Sequence, residues 1–110
     1  MKLYTDEIQT AKLIELGFEK PKSISGYCQR GPYEYDAETN TKMVVYDDTL
    51  YPIYAYSIGE LLEFVDDFEV IKTYDKCLAV YNGTGTHFYG KEIIDALFEL
   101  CVQLKEEGRI

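Results

Sequence analysis

Apolar and polar positions are patterned most decisively near the end of the chain. Between Gly90 and Gly108, Ile93, Leu97, Leu100, Cys101 and Leu104 recur at helical spacing, and Ile94, Ala96 and Phe98 widen that stripe. Glu92, Asp95, Glu99, Gln103 and Glu106 form the wet side. Acidic residues open the segment, Lys105 and Arg109 close it, and Gly108 suits the left-handed position after a helix end. A helix apolar over so wide an arc needs cover on more than one flank, so it is predicted to be the central core element.

The same reading divides the rest of the chain. Residues 5–16 predict a first helix, capped by Thr5, with Ile8, Ala11, Leu13, Ile14 and Leu16 as contacts. Gly17 stops it and Phe18 folds back onto Leu13. After a connector with Pro21, residues 27–30 and 33–36 form two short strands around Gly31-Pro32, or one interrupted strand. Residues 37–40 are a polar loop tip. Residues 41–46 are rich in β-formers and end at Asp47-Asp48-Thr49, and residues 51–56 alternate, with Pro52 confining them to an edge. Ser57-Ile58-Gly59-Glu60 is a capping box, flanked by Tyr56 and Leu61 as a hydrophobic staple. Ile58, Leu61, Leu62 and Val65 complete a short helix, which Asp66-Asp67 ends. Residues 68–74 and 77–81 predict a hairpin at Asp75-Lys76, and Asn82-Gly83-Thr84-Gly85-Thr86 a flexible link into the last helix. No βαβ rhythm is long enough for a parallel sheet. The fold class is therefore α+β: a small antiparallel sheet of four to five strands, with a long C-terminal helix and two shorter helices packed against it.

Length and composition bound this picture. At 110 residues a single domain, 1–110, is expected, large enough for a core without metal or disulfide staples. Eleven Tyr against five Phe and no Trp is unusual; Tyr suits strands, and equally suits half-wet binding surfaces. Tyr51, Tyr54 and Tyr56 on one strand, with Tyr33 and Tyr35, are the candidate contact residues, since Tyr supplies area at little entropic cost. A net charge of −9 argues against direct nucleic-acid contact and against an anionic membrane surface. Lys2 is followed closely by Asp6 and Glu7, so neither a signal peptide nor a membrane span is expected. Three widely spaced cysteines, Cys28, Cys77 and Cys101, fit reduced thiols in the cytoplasm.

Leu13-x-x-Leu16-Gly17, Tyr56-Ser57-Ile58-Gly59-Glu60-Leu61-Leu62, the hairpin, and Ile94-Asp95-Ala96-Leu97-Phe98-Glu99 with Gly108 resemble, in that order, small uncharacterised proteins of Bacteroidales prophages and mobile elements. The resemblance implies a bacterial or phage source, a cytoplasmic location and an accessory role, and brings no catalytic residues with it.

Candidate chemistry is sparse. His87 with Cys77 or Cys101 would make a thiol nucleophile only if the fold brought them together, and a lone His is more often a structural hydrogen-bonding group. A Cys₃His zinc site normally contains a close Cys pair, which is missing here. The glycine-rich residues 82–86 match neither the P-loop nor the dinucleotide pattern. The pairs Asp47-Asp48 and Asp66-Asp67 lack a calcium-loop pattern and read as solvated turns. No catalytic residue, metal site or cofactor is therefore assigned. The leading expectation is a non-enzymatic accessory protein acting through a protein partner or self-association. The alternatives are an acidic nucleic-acid mimic that occupies a host DNA-binding protein and, behind it, a small Cys/His enzyme.

Overall fold

Eight elements follow one another: α1 (Glu7–Glu15), β1 (Ser23–Asp36), β2 (Thr41–Ala55), α2 (Ile58–Phe64), β3 (Phe68–Lys72), β4 (Cys77–Tyr81), β5 (Thr86–Gly90) and α3 (Ile93–Glu106). The structure is a computed structural model and describes residues 1–29, 37–43 and 48–110 with their side chains. The architecture is α+β, with three helices, the longest C-terminal, and small antiparallel sheets. Two compact units are present: Met1–Ser23 with Ala55–Ile110, and Ile24–Tyr54.

The first unit is built on α3. Ile94, Ala96, Leu97, Leu100, Cys101 and Leu104 are buried on it, while Ile93, at the helix start, is only partly covered. Each fully buried Leu or Ile is worth roughly 1.5–3 kcal/mol of apolar transfer, so this face dominates the unit. Against it lie α2 and the antiparallel sheet β3-β4-β5. Register sorts the sheet residues: the rungs Phe68–Tyr81–Thr86 and Val70–Ala79–Phe88 face the core, and Glu69–Val80–His87 and Ile71–Leu78–Tyr89 face away. The end rung, Lys72–Cys77–Gly90, admits no side chain at position 90. A Cβ there would lie 2.6 Å from the Ala96 amide nitrogen and 3.0 Å from the Glu92 carbonyl oxygen. Glycine lets the end of β5 press directly onto the first turn of α3.

Caps set the two shorter helices. At α2 the Glu60 amide donates to Ser57 Oγ at 3.2 Å and Glu60 Oε1 accepts from the Ser57 amide at 3.1 Å, the reciprocal box read from the sequence. Tyr56 and Leu61 are both fully buried in the core. At α1 the cap is Asp6 rather than the expected Thr5. The Gln9 amide donates to Asp6 Oδ1 at 2.8 Å, and the Asp6 amide donates to Gln9 Oε1 at 3.0 Å. Thr5 is diverted: its hydroxyl accepts from the Tyr56 amide at 3.0 Å and its own amide donates to the Tyr56 carbonyl at 2.9 Å. A long-range pairing of the entering chain with residues before α2 thus displaces the local cap. Past α1, Gly17 takes φ 97° and the Phe18 amide closes onto the Leu13 carbonyl at 3.1 Å, putting Phe18 into the core.

Two expectations for this unit change. The glycine-rich link is a tight turn, in which the Gly85 amide donates to the Tyr81 carbonyl at 2.8 Å, and it leads into a further strand, β5, before the last helix. His87 consequently lies in a strand rather than at a helix entrance. Asp66-Asp67 is also more than a wet stop, because Asp67 accepts from the Asn82 amide at 2.9 Å and from the Asn82 side chain at 3.0 Å, closing the base of the β3–β4 pair.

The second unit is a two-stranded sheet of β1 and β2, joined by a tip at residues 37–40 where Asn40 adopts φ 54°. So short a connection makes the pair antiparallel. The strands run 14 and 15 residues, so neither the break expected at Gly31-Pro32 nor the stop expected at Asp47-Asp48-Thr49 ends an element.

Candidate functional site

The surface that departs most from a closed fold is the β1–β2 ribbon. Between Ile24 and Tyr54 none of the described residues is buried, the one buried strand residue, Ala55, coming at the end of β2, and Ile24, Tyr27, Met43, Leu50, Ile53 and Tyr54 are exposed. Strand alternation puts Leu50 and Tyr54 on one face of β2 and Tyr51 and Ile53 on the other, so both faces carry open apolar area. Leu50 is 62% exposed and Tyr54 51%. The Ser25 hydroxyl donates to the Ile53 carbonyl at 3.2 Å, tying the two strands beside their open ends. A two-stranded ribbon buries little of itself and is marginal alone in water.

The five tyrosines nominated from sequence separate. Tyr54 is exposed on the ribbon, and Tyr51 is half-buried there. Tyr33 and Tyr35 fall within β1, and their side chains lie outside the described residues. Tyr56 is corrected: it is fully buried, its ring packs edge-on to Phe64 with centroids 5.9 Å apart, and its hydroxyl donates to the Glu19 carbonyl at 2.6 Å. Burial, with the charges of Glu60 and Glu19 nearby, pushes that phenol up to about 12. Tyr56 is therefore a core pillar and not part of any contact surface. Ile24, Met43, Leu50 and Ile53 are exposed residues that a count of tyrosines passes over, and the exposed Tyr27 is a tyrosine that was not nominated. Leu50 hides behind Asp47-Asp48-Thr49, which locally reads as the end of a strand.

Groups with chemical potential in the first unit do not converge. Cys77 is buried on the core face of β4, whereas His87 is exposed on the outward face of β5, opposite Val80. The sheet stands between them. His87 Nδ1 lies 3.1 Å from the Gly85 carbonyl and its ring meets Tyr89 edge-on. Cys101 is fully buried, its thiol directed to the Leu61 carbonyl at 3.8 Å, and burial pushes the thiol up to about 12. Such a group carries almost no thiolate at neutral pH and packs as a small hydrophobe. Among the described residues no three His, Cys, Asp or Glu side chains gather as a metal site would require.

The charged clusters that do form are fasteners. Glu60 is opposed by burial, yet hydrogen bonds from Ser23, the Lys22 amide and Ser57 outweigh it and hold the carboxyl below its ordinary range. Lys2 Nζ reaches Asp95 at 2.7 Å and Gln9 at 2.9 Å, while Gln9 donates to the same Asp95 oxygen at 3.0 Å. This knot pins the entering chain and α1 to the first turn of α3. No helix among the described residues is long and apolar enough to cross a membrane. No protein-family model, curated protein or solved structure matches the chain.

Proposed function

We propose that this chain is a non-enzymatic interaction protein, a cytoplasmic accessory of a phage or mobile element, whose docking surface is the β1–β2 ribbon. The observation that supports this reading is the ribbon itself, with apolar side chains open on both faces of β2, Leu50 and Tyr54 exposed, and no buried residue among those described between Ile24 and Tyr54. Covering that area is the favourable step available to a partner protein. The separation of Cys77 from His87 across the sheet and the inert burial of Cys101 favour binding over nucleophilic chemistry. The sequence resemblance to phage and mobile-element proteins supports the accessory role and the compartment.

The test is affinity capture from a bacterial lysate, with sizing of the purified chain, comparing the natural protein with the double variant Leu50→Ser and Tyr54→Ser. Both substitutions are on open surface, so thermal unfolding should remain cooperative. A specific captured protein, or self-association, that disappears in the variant supports the proposal. A monomer that captures nothing, or capture indifferent to both substitutions, contradicts it.

A further inference from the structure

We infer that the turn at Asn82-Gly83 is a site of spontaneous, water-driven modification, in which Asn82 loses its side-chain amide and the new carboxylate opens the base of the β3–β4 pair. Asparagine is among the chemically labile residues. Its lability requires that the amide nitrogen of the next residue reach its side-chain carbonyl carbon, and that the next residue be too small to block the approach. Of the two asparagines in the chain, only Asn82 precedes glycine, while Asn40 precedes the β-branched Thr41. Asn82 and Gly83 are both exposed, so water and hydroxide reach them. Among the described residues the Gly83 amide donates no hydrogen bond, which leaves its proton open to removal. Its neighbours in the turn are committed, the Asn82 amide to the Asp67 carbonyl and the Gly85 amide to the Tyr81 carbonyl. A Cβ at position 83 would lie 3.0 Å from the Tyr81 ring, so the residue that packing admits is also the one that leaves Asn82 most open to attack.

As the turn opens, hydroxide removes the Gly83 amide proton and the nitrogen attacks Asn82 Cγ. The Cγ–Nδ2 bond breaks, and the leaving nitrogen departs as ammonia with a proton from water, which regenerates hydroxide and leaves a cyclic succinimide. A water molecule then splits either bond from the ring nitrogen to its carbonyl carbons, and nothing is oxidised or reduced. One cut yields aspartate. The other yields isoaspartate, whose main chain runs through the former side-chain carbonyl and is longer by a carbon. Either product strikes the contact that closes the strand pair. The Asn82 side chain donates to Asp67 Oδ1 at 3.0 Å. A carboxylate in its place has no hydrogen to give and sets a second negative charge against the first. The isoaspartate also shifts the backbone between Tyr81 and Gly85, whose carbonyl and amide meet at 2.8 Å in the intact turn.

Prolonged incubation of the full chain at neutral pH tests the reaction, read by peptide mapping in a mass spectrometer with chromatographic separation of aspartate from isoaspartate. Asn82 should convert at least about tenfold faster than Asn40 and give both products, and Gly83→Ala should slow the conversion by a similar factor. An Asn82 that stays intact, equal conversion of the two asparagines, or aspartate formed without isoaspartate would each overturn the inference. The structural consequence is tested by comparing Asn82→Asp with Asn82→Ser, which shortens the side chain and adds no charge. The unfolding equilibrium constant of Asn82→Asp should be several-fold the larger at low salt, with the difference shrinking as salt rises. Adding Asp67→Asn to Asn82→Asp turns a donor toward the new carboxylate and should recover most of the loss. If Asn82→Asp unfolds no more readily than Asn82→Ser, or if the added Asp67→Asn recovers nothing, the contact with Asp67 is not what the modification opens and the inference fails. None of these outcomes involves the ribbon, so the proposed function stands or falls separately.

Discussion

Tyr56 concentrates the residue-scale physics of the first unit, because one side chain is at once staple, core and hydrogen-bond donor. Among the described residues, the partner of its hydroxyl is the Glu19 carbonyl at 2.6 Å. Replacing Tyr56 by Phe keeps the packing and orphans that carbonyl, which should cost about 1–2 kcal/mol in denaturant unfolding. A loss below a few tenths would mean that water replaces the bond freely. The Lys2–Asp95 contact makes a second prediction at this scale. Burial opposes the Asp95 charge, but hydrogen bonds from Lys2 and Gln9 and the Lys2 charge hold its carboxyl below the ordinary value. A depressed carboxylate stabilises the fold above its unfolded pKa of about 3.9, and that contribution drains away as pH falls through the lower folded value. For Lys2, burial is outweighed by the Asp95 and Asp6 contacts, so its folded pKa is raised. Its contribution is complete below about 10.4 and lost as pH rises through the folded value. The thermal midpoint of the natural protein should therefore fall at both extremes, and Asp95→Asn should lower the plateau while flattening the acid limb. An acid limb identical in the variant would remove Asp95 from the account.

At the scale of elements, local code and long-range pairing divide the structure between them. The capping boxes at Asp6 and Ser57 each join a side chain to an amide three residues on, so Ser57→Ala and Asp6→Ala should each cost about 1 kcal/mol by chemical unfolding. Gly90→Ala should cost about 1–3 kcal/mol or more, because its Cβ meets backbone of α3 that cannot swing aside. A neutral Gly90→Ala would show that β5 is not pressed onto the helix. These scales explain what the sequence disclosed. The α2 cap, the Gly17 stop and the apolar arc of α3 are encoded within a few residues and were legible. Thr5 was misassigned because its hydroxyl is held by the Tyr56 amide, 51 residues away, and by the Thr10 hydroxyl at 2.7 Å. The strand β5 was missed because Asn82 to Gly85 reads as slack chain until Tyr81 accepts from Gly85. Breakers at Gly31-Pro32 and Asp47-Asp48-Thr49 hid the length of β1 and β2, two strands that lie paired in one sheet. Among the nominated tyrosines, the exposure of Tyr54 was legible from its place in an alternating strand. Tyr56 was not separated from it, although its place before a capping box already marked it as a staple residue that seeks the core.

At the scale of the whole molecule, the chain holds two units with opposite economies. One closes α3 beneath α2 and a three-stranded sheet, with every described buried side-chain polar atom hydrogen-bonded. The other keeps Leu50, Ile53 and Tyr54 in water on a ribbon of two strands. The function proposed above has a partner protein cover the second arrangement. Site-specific photocrosslinking in the producing cell tests this directly, with the crosslinker placed in turn at Leu50, Tyr54, Tyr74 and Tyr89. All four positions are exposed, the last two on the first unit. Discrete adducts from positions 50 and 54, and none from 74 and 89, are the predicted result. Adducts confined to 74 and 89, or absent from all four, would contradict the claim that the ribbon is what this protein uses to act.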